Sequence, residues 1–248
     1  MNPKISIITV VRNGVKYIEE TIQSVIHQTY NKIEYIIIDG ESTDGTLNIV
    51  EKYKSHLDYF LSEKDVSMYD AINKGLKKCT GDYILVLNSD DTLVSTTTIE
   101  KISKLLIGDS AYYCNVIIQT EQKEKERKLF QVNFKQLLLS KHCTFVPHPS
   151  FFVSRNLLIK KPEYDLKYKY ASDFDYILDL FKISSNIKHL NIFCTKFRYH
   201  DESITASGKL DQERLAIIKI HGYYNFNILT RNLSYFYLWV KYKMINLS

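Results

Sequence analysis

Two adjacent carboxylates close the stretch TGDYILVLNSDDT at residues 80–92, and of all the side chains in this sequence they are the best placed to do chemistry. The turn Thr80-Gly81-Asp82 leads into an unbroken apolar run, 83–87, which stops at Asn88-Ser89-Asp90-Asp91. A run without polar interruption reads as a strand buried on both faces, as in parallel sheets. Residues just beyond the carboxyl end of such a strand stand where open α/β sheets hold their ligands. Neighbouring carboxylates repel unless something positive lies beside them. Their oxygens suit a hard divalent cation, Mn2+ or Mg2+, of the kind shared with substrate phosphates. An isolated Asp-Asp pair more often caps a following helix, here one expected over 95–106, so its meaning depends on its surroundings.

The elements that must position this pair follow in order. Residues 5–11 form a β-branched run, broken by Arg12-Asn13-Gly14. Val15, Ile18, Ile22, Val25 and Ile26 mark a helical stripe over 15–28. Residues 33–38 are a second buried strand ending in Asp39-Gly40, and a polar turn leads to a helix through about Lys54. A short strand at 59–61 precedes Ser62-Glu63-Lys64-Asp65, and a helix is expected over 68–78. This β-α alternation requires parallel strands with right-handed crossovers. The turns carrying Asn13, Asp39, Asp65 and Asp90 therefore open on one edge of the sheet. Acids recur there on successive strands without dominating the opposite edge, and that asymmetry argues for a site.

Composition narrows the class. A chain of 248 residues, 45% hydrophobic, can bury a large core. The net charge of +5 is concentrated at the end: no acid follows Glu213, whereas Arg214, Lys219, Arg231, Lys241 and Lys243 do. The body therefore has no strong basic balance and nucleic acid is not an expected partner. Cys79, Cys114, Cys143 and Cys194 lie far apart, which points to reduced thiols and a cytoplasmic setting. No signal peptide is expected, because the first strand starts at Ile5. No Gly-rich dinucleotide fingerprint, phosphate-binding P-loop or nucleophile elbow occurs. A metal-assisted site for a phosphate-bearing substrate remains, the metal neutralising a leaving diphosphate.

Four blocks, ISIITVVRNG, YIIIDGESTDGT, SEKDVSMYDAINKG and TGDYILVLNSDD, resemble in order and spacing the nucleotide-sugar-binding half of family 2 glycosyltransferases. The resemblance covers roughly the first 95 residues. It implies an α/β fold of the GT-A type: a Rossmann-like, mostly parallel central sheet flanked by helices. It further implies a donor-binding half over 1–95 and an acceptor-binding and catalytic half over 96–205, and leaves 206–248 as a helical, aromatic and basic extension. Thr9, Val11 and Asn13 would lie against the nucleoside, Asp39 would bond the base, typically uracil, and Asp44 would stand near it. Asp65 and Lys74 fall in a block used near the sugar and diphosphate. Asn88-Ser89-Asp90 falls on the family's Asp-x-Asp metal motif, with Asn at the first place. Asn can still offer a carbonyl oxygen, and the metal is assigned mainly to Asp90, with Asp91 as a second ligand.

In the second half, 146–153 resembles the family's acceptor-side segment and makes His148 a candidate acceptor or diphosphate contact; a structural histidine is an equal reading. The stretch YASDFDYIL at 170–178 matches the place where the family carries Glu-Asp, the Asp being the general base. Here the pair is Ser-Asp, so Asp173 inherits that role, and Ser172 is expected to cap the helix. A strand or hairpin pair is expected over 186–199, followed by His200 as a candidate metal or diphosphate contact. The aromatic and basic segment 223–247 suits either peripheral contact with the inner face of a cytoplasmic membrane or packing on protein, including a second subunit. The implied activity is inverting transfer of a hexosyl or N-acetylhexosaminyl group from a nucleotide-diphosphate sugar, UDP being the expected nucleotide. The acceptor would be a hydroxyl of a saccharide or lipid-linked saccharide in surface-polysaccharide synthesis. A nucleotidyltransferase and a non-catalytic nucleotide-sugar-binding protein remain alternatives.

Overall fold

The computed structural model describes residues 2–140, 145–200 and 210–246. The first apolar run forms β1 (Ile5–Val11), buried along its whole length. Then follow α1 (Ile18–Ile26), β2 (Ile33–Asp39), α2 (Thr46–Lys52), β3 (Tyr59–Ser62), α3 (Met68–Leu76) and β4 (Tyr83–Val86). These four strands pair in parallel in the order β3-β2-β1-β4, with Val11 level with Asp39 and Asp39 level with Ser62. The turns after all four strands therefore share one edge, as the alternation requires.

Alternation along the strands splits the apolar side chains between two cores. Ile8, Val10, Ile36 and Ile38 face one way, toward α3. Ile7, Val11, Tyr35 and Ile37 face the other, toward α1. Gly75 lets α3 close on β1: a Cβ there would lie 2.6 Å from Ile8 Cγ2. A larger residue there would have to displace the Ile8 side chain from the core.

The sheet then continues past β4. The next elements are β5 (Thr92–Leu93), α4 (Thr98–Ser103), β6 (Ala111–Gln119), β7 (Glu124–Arg127), α5 (Phe134–Ser140), β8 (Phe151–Ser154), α6 (Arg155–Lys160), α7 (Ser172–Ile183) and β9 (Ile187–Arg198). The full path of nine strands is β3-β2-β1-β4-β8-β6-β9-β5, with β7 on β6. β8 is antiparallel to both β4 and β6, while β6 and β9 are parallel. Six of the nine strands thus share one direction. The charged residues 124–127 form a hairpin arm, β7 on β6. Residues 187–198 form one long strand rather than a hairpin pair, because β6 offers a partner along its whole length, with an irregularity near Asn115.

The chain ends in α8 (Leu210–Ile220) and α9 (Ile228–Asn246). Leu210, Ile217 and Ile218 of α8 join the core beside α7. In α9 the only fully buried side chain is Leu238. Cys79, Cys114 and Cys194 are free and buried; Cys143 lies outside the described residues.

Candidate active site

The β1 and β2 turns are laced together at the carboxyl edge. Asn13 adopts a left-handed φ of 53°, rare for a residue with a side chain. Its amide donates to Ser42 Oγ at 2.8 Å and its side-chain oxygen accepts from Thr43 N at 2.9 Å. Asp44 accepts from Val15 N at 3.0 Å on one oxygen and from the amide and hydroxyl of Thr46 on the other. Burial would raise the Asp44 pKa, but these hydrogen bonds outweigh it and hold the pKa below the usual carboxylate range. Asp44 is thus spent on shaping the rim.

Asp39 is different. It is fully buried at the end of β2. Its Oδ2 accepts from Ser42 N at 3.0 Å and Ser62 Oγ at 2.7 Å. Its Oδ1 is buried without a hydrogen-bond partner among the described residues. An orphaned buried carboxylate oxygen is costly, and it marks a place where a donor from outside would be welcome. Thr9 lies two residues back along β1, fully buried, its hydroxyl accepting from Tyr35 at 3.3 Å. It backs the cleft and presents no open surface. Val11 is likewise part of the core, while its carbonyl accepts from Gly40 N at 2.8 Å.

Beyond β3, Lys74 Nζ gathers Asp65 at 2.6 Å, Glu63 at 2.8 Å and Asp70 at 3.6 Å. Burial raises the Asp65 pKa, Lys74 opposes it, and the neighbouring Asp70 and Glu63 charges add to the rise. Burial works against the Lys74 charge, but the acids outweigh it and raise its pKa. One cation therefore serves three acids. Asp65 Oδ2 stands 3.0 Å from where a Cβ on Gly40 would be, so this cluster reaches the Asp39 turn.

The organising turn resolves its two acids into different roles. Asp91 is buried: Oδ2 accepts from Asn88 Nδ2 at 2.8 Å and Oδ1 from Arg198 N at 2.8 Å. Burial, and then the adjacent Asp90 charge, push its pKa well up. The metal assignment to Asp91 does not match this placement, because both oxygens face protein donors and none faces the cleft. Asn88 spends its amide nitrogen on Asp91 and can offer only its carbonyl oxygen. Ser89 lies against Gly14, with its hydroxyl 3.6 Å from where a Cβ there would be. Asp90 remains partly open, with Oδ2 3.0 Å from His200 Nε2. Arg198 pins this turn by donating from Nε to the Asp90 carbonyl at 3.0 Å, its guanidinium lying 4.3 Å over the Tyr17 ring. Among the described residues no cluster of three or more His, Cys, Asp or Glu side chains is set to hold a metal. Asp90 and His200 are a pair, an oxygen and an imidazole nitrogen, both partly exposed.

Asp173 enters from the second half, in the first turn of α7. Its Oδ1 accepts from Tyr69 OH at 3.1 Å and from Phe174 N at 2.8 Å. Tyr69 lies at the start of α3, so this contact brings α7 to the same edge as the strand ends. Behind it Tyr164 stacks between Tyr69 and Tyr176, at 5.8 and 4.1 Å between ring centres. His148 is buried here and shares a 2.7 Å hydrogen bond with Tyr164 OH. Burial pushes its pKa down, against an upward pull from Asp173. The structure thus places His148 behind Asp173, within the aromatic stack. Ser172 is not the cap: the helix begins after Ala171, and the Ser172 hydroxyl donates to the Asp165 carbonyl at 2.8 Å. Glu213 of α8 fixes the turn that leads into α7, its carboxylate accepting from the amides of Lys169, Tyr170 and Ala171 at 2.8, 2.7 and 2.9 Å.

The sequence model for glycosyl transferase family 2 matches residues 6–161, more than half of the chain. The PGL/p-HBAD biosynthesis glycosyltransferase of Mycobacterium bovis (strain BCG / Pasteur 1173P2) is 27% identical over 192 residues, spanning 72% of this chain and 70% of that protein. S. aureus TarS in complex with UDP-GlcNAc superposes with a TM-score of 0.73 at 17% identity, over 97% of this chain and 73% of that one. The mannosyltransferase PcManGT from Pyrobaculum calidifontis, in complex with GDP-Man and Mn2+, gives 0.68 at 16% identity, over 99% and 71%. Sheet order and the family match lead to one statement: this chain is a glycosyltransferase of family 2, with the α/β fold of the GT-A type.

Proposed function

We propose that the chain transfers a hexosyl or N-acetylhexosaminyl group, with inversion, from a UDP-sugar to a hydroxyl of a saccharide or lipid-linked saccharide. The observation that carries this reading is Asp39 Oδ1, a buried carboxylate oxygen with no hydrogen-bond partner among the described residues, at the carboxyl end of β2. A ring N–H of a uracil base is a donor of the kind it lacks. Such a bond to a charged acceptor is worth about 1.5–3 kcal/mol. Binding of UDP-GlcNAc by TarS and of GDP-Man by PcManGT supports a nucleotide-sugar donor.

A divalent ion, Mn2+ or Mg2+, fits the Asp90 and His200 donor pair, with remaining positions left to water and diphosphate oxygens. When bound there it would neutralise the charge that develops on the leaving diphosphate. Arg198 holds the Asp90 backbone in place for that task. Asp173 takes the proton from the acceptor hydroxyl as its oxygen attacks the anomeric carbon. Tyr69 occupies Oδ1 and fixes the carboxylate, and the other oxygen has no partner among the described residues. Asp65, held by Lys74, lies between the Asp39 turn and α3 and is assigned to the sugar and diphosphate.

Thermal unfolding with UDP-glucose, UDP-GlcNAc, UDP-galactose and GDP-mannose, each with and without Mn2+, tests the reading. A ligand at 100 times its Kd adds about 2.7 kcal/mol. A UDP-sugar should raise the Tm, more so with Mn2+; Asp39→Ala should remove the uridine preference and Asp90→Ala the Mn2+ increment. A Tm unmoved by every donor, or a Mn2+ increment intact in Asp90→Ala, overturns the assignment.

A further inference from the structure

The last helix carries an apolar face that points away from the protein. α9 spans 19 residues, and Leu238, with Tyr242 and Ile245 beside it, packs on the body. At about 100° per residue, Leu229, Leu233, Phe236, Val240 and Met244 fall in one stripe centred opposite Leu238. Leu229, Leu233, Phe236 and Met244 are all exposed, Phe236 at 61% and Met244 at 71%. Tyr237 and Trp239 flank the stripe, one on each side, and both are exposed. Asn246 anchors the far end of the helix, accepting from Lys128 N and donating to Lys128 O.

Charge decides between the occupants of such a face. The helix contains Arg231, Lys241 and Lys243 and no acid; indeed no acid follows Glu213 anywhere in the chain. Lys243 borders the stripe, 5.9 Å from the Trp239 ring centre, whereas Arg231, over Tyr223 and Tyr224, and Lys241, over Phe130, turn toward the body. A second copy meeting this stripe would bring Lys243 of each helix to the seam with no acid on either helix to pair it, which disfavours a helix seam. A bilayer bearing anionic headgroups suits this face: acyl chains take the aliphatic stripe, the interface takes Tyr237 and Trp239, and the headgroups take Lys243. Among the described residues no helix is long and apolar enough to cross a membrane, so the helix would lie in the interfacial plane.

We propose that the outward face of α9 docks this protein on an anionic lipid surface. The inference is independent of the donor and of the catalytic assignments. The chain contains a single tryptophan, Trp239, which reports on this face alone. The full chain is mixed with vesicles of phosphatidylcholine, with or without phosphatidylglycerol, and followed by co-sedimentation and Trp239 emission. Co-sedimentation with the anionic vesicles and a blue-shifted emission are expected, with little of either on phosphatidylcholine alone. Phe236→Ser and Leu233→Ser should abolish the shift while keeping the Tm, since both side chains are exposed. Lys243→Gln should weaken partitioning about fivefold, the effect of one cation near an anionic surface. Absence of sedimentation with anionic vesicles overturns the proposal. So does a folded Phe236→Ser variant that still binds, or a concentration-dependent dimer in free solution that Phe236→Ser dissociates.

Discussion

The two edges of the central sheet use the same kinds of side chain to opposite ends. At the amino edge Glu34 is gripped from several sides: Lys4 Nζ at 2.7 Å, Ser6 Oγ at 2.5 Å, and both the amide and the hydroxyl of Thr80. Asp82 accepts from Lys4 N at 2.7 Å, and Arg155 donates to the carbonyls of Gly81 and Cys79. Gly81 makes this closure possible, because a Cβ there would lie 2.6 Å from Ser6 N. At the carboxyl edge, among the described residues, Asp39 keeps a buried oxygen unpaired, Lys74 serves three acids, and Asp90 pairs with a histidine alone. Acids therefore stand at both edges, contrary to the asymmetry the sequence suggested. What separates the edges is satisfaction: one is a latch, the other waits for a partner.

The contrast makes graded predictions. Asp173→Asn should lower transfer about a thousandfold, within the range for loss of a general base, and leave UDP binding intact; nucleotide release assayed beside calorimetric UDP titration checks both. Glu34→Ala should leave UDP affinity unchanged and lower stability by roughly 3 kcal/mol. Burial opposes the Glu34 charge, but the bonds from Lys4, Ser6 and Thr80 outweigh it and hold its pKa at about 2, against an ordinary 4.5. The folded value lies below the unfolded one, so this stabilisation is complete above about pH 4.5 and lost as pH falls toward 2. Denaturant titrations of the wild type and Glu34→Ala should therefore converge in acid; a difference that persists at pH 2 would assign Glu34 another role.

Asp39→Ala should reverse that pattern, weakening UDP about thirtyfold, or about 2 kcal/mol, with a smaller loss of stability than Glu34→Ala, because removing the unsatisfied oxygen partly offsets the bonds lost from Ser42 N and Ser62 Oγ. A loss of stability comparable to that of Glu34→Ala would erase the distinction between the edges. The smallest effect is expected for Glu213→Gln, a few-fold drop in kcat with KM for donor unchanged, since one amide oxygen still accepts from the turn before α7. Glu213→Ala should deepen that drop, and faster hydrogen exchange at the amides of residues 169–171 would tie it to the lost bonds.

Local pattern carried the first half of the fold. The runs that became β1, β2 and β4 are apolar without interruption, and the turns after them are polar, so the parallel strands and the site edge could both be read from sequence. The second half was harder for identifiable reasons. Residues 187–198 pair along their whole length with β6, a partner more than 70 positions away, and local alternation does not reveal one continuous strand. At the site, residue type located the acids but not their orientation. Asp91 turns inward to Arg198, Asp44 ties two turns together and His148 lies in the aromatic stack; each depends on a partner remote in sequence. Glu213 and Arg198 carried no local signal, being an acid in a helix and a base at a strand end. Only tertiary pairing distinguishes them from surface charge. Tyr69 lay inside a block that resembled the family, but its phenol became informative only when Asp173 was found beside it.

The grip of Glu213 on the turn before α7 also bears on how this chain could be recombined. A splice placed between 205 and 206, where sequence alone would put a module boundary, separates the proposed base from the carboxylate that orders its approach. Hybrids that import a foreign terminal segment therefore need an acid in register with that turn, or they will keep an intact sheet while presenting Asp173 behind an unanchored turn.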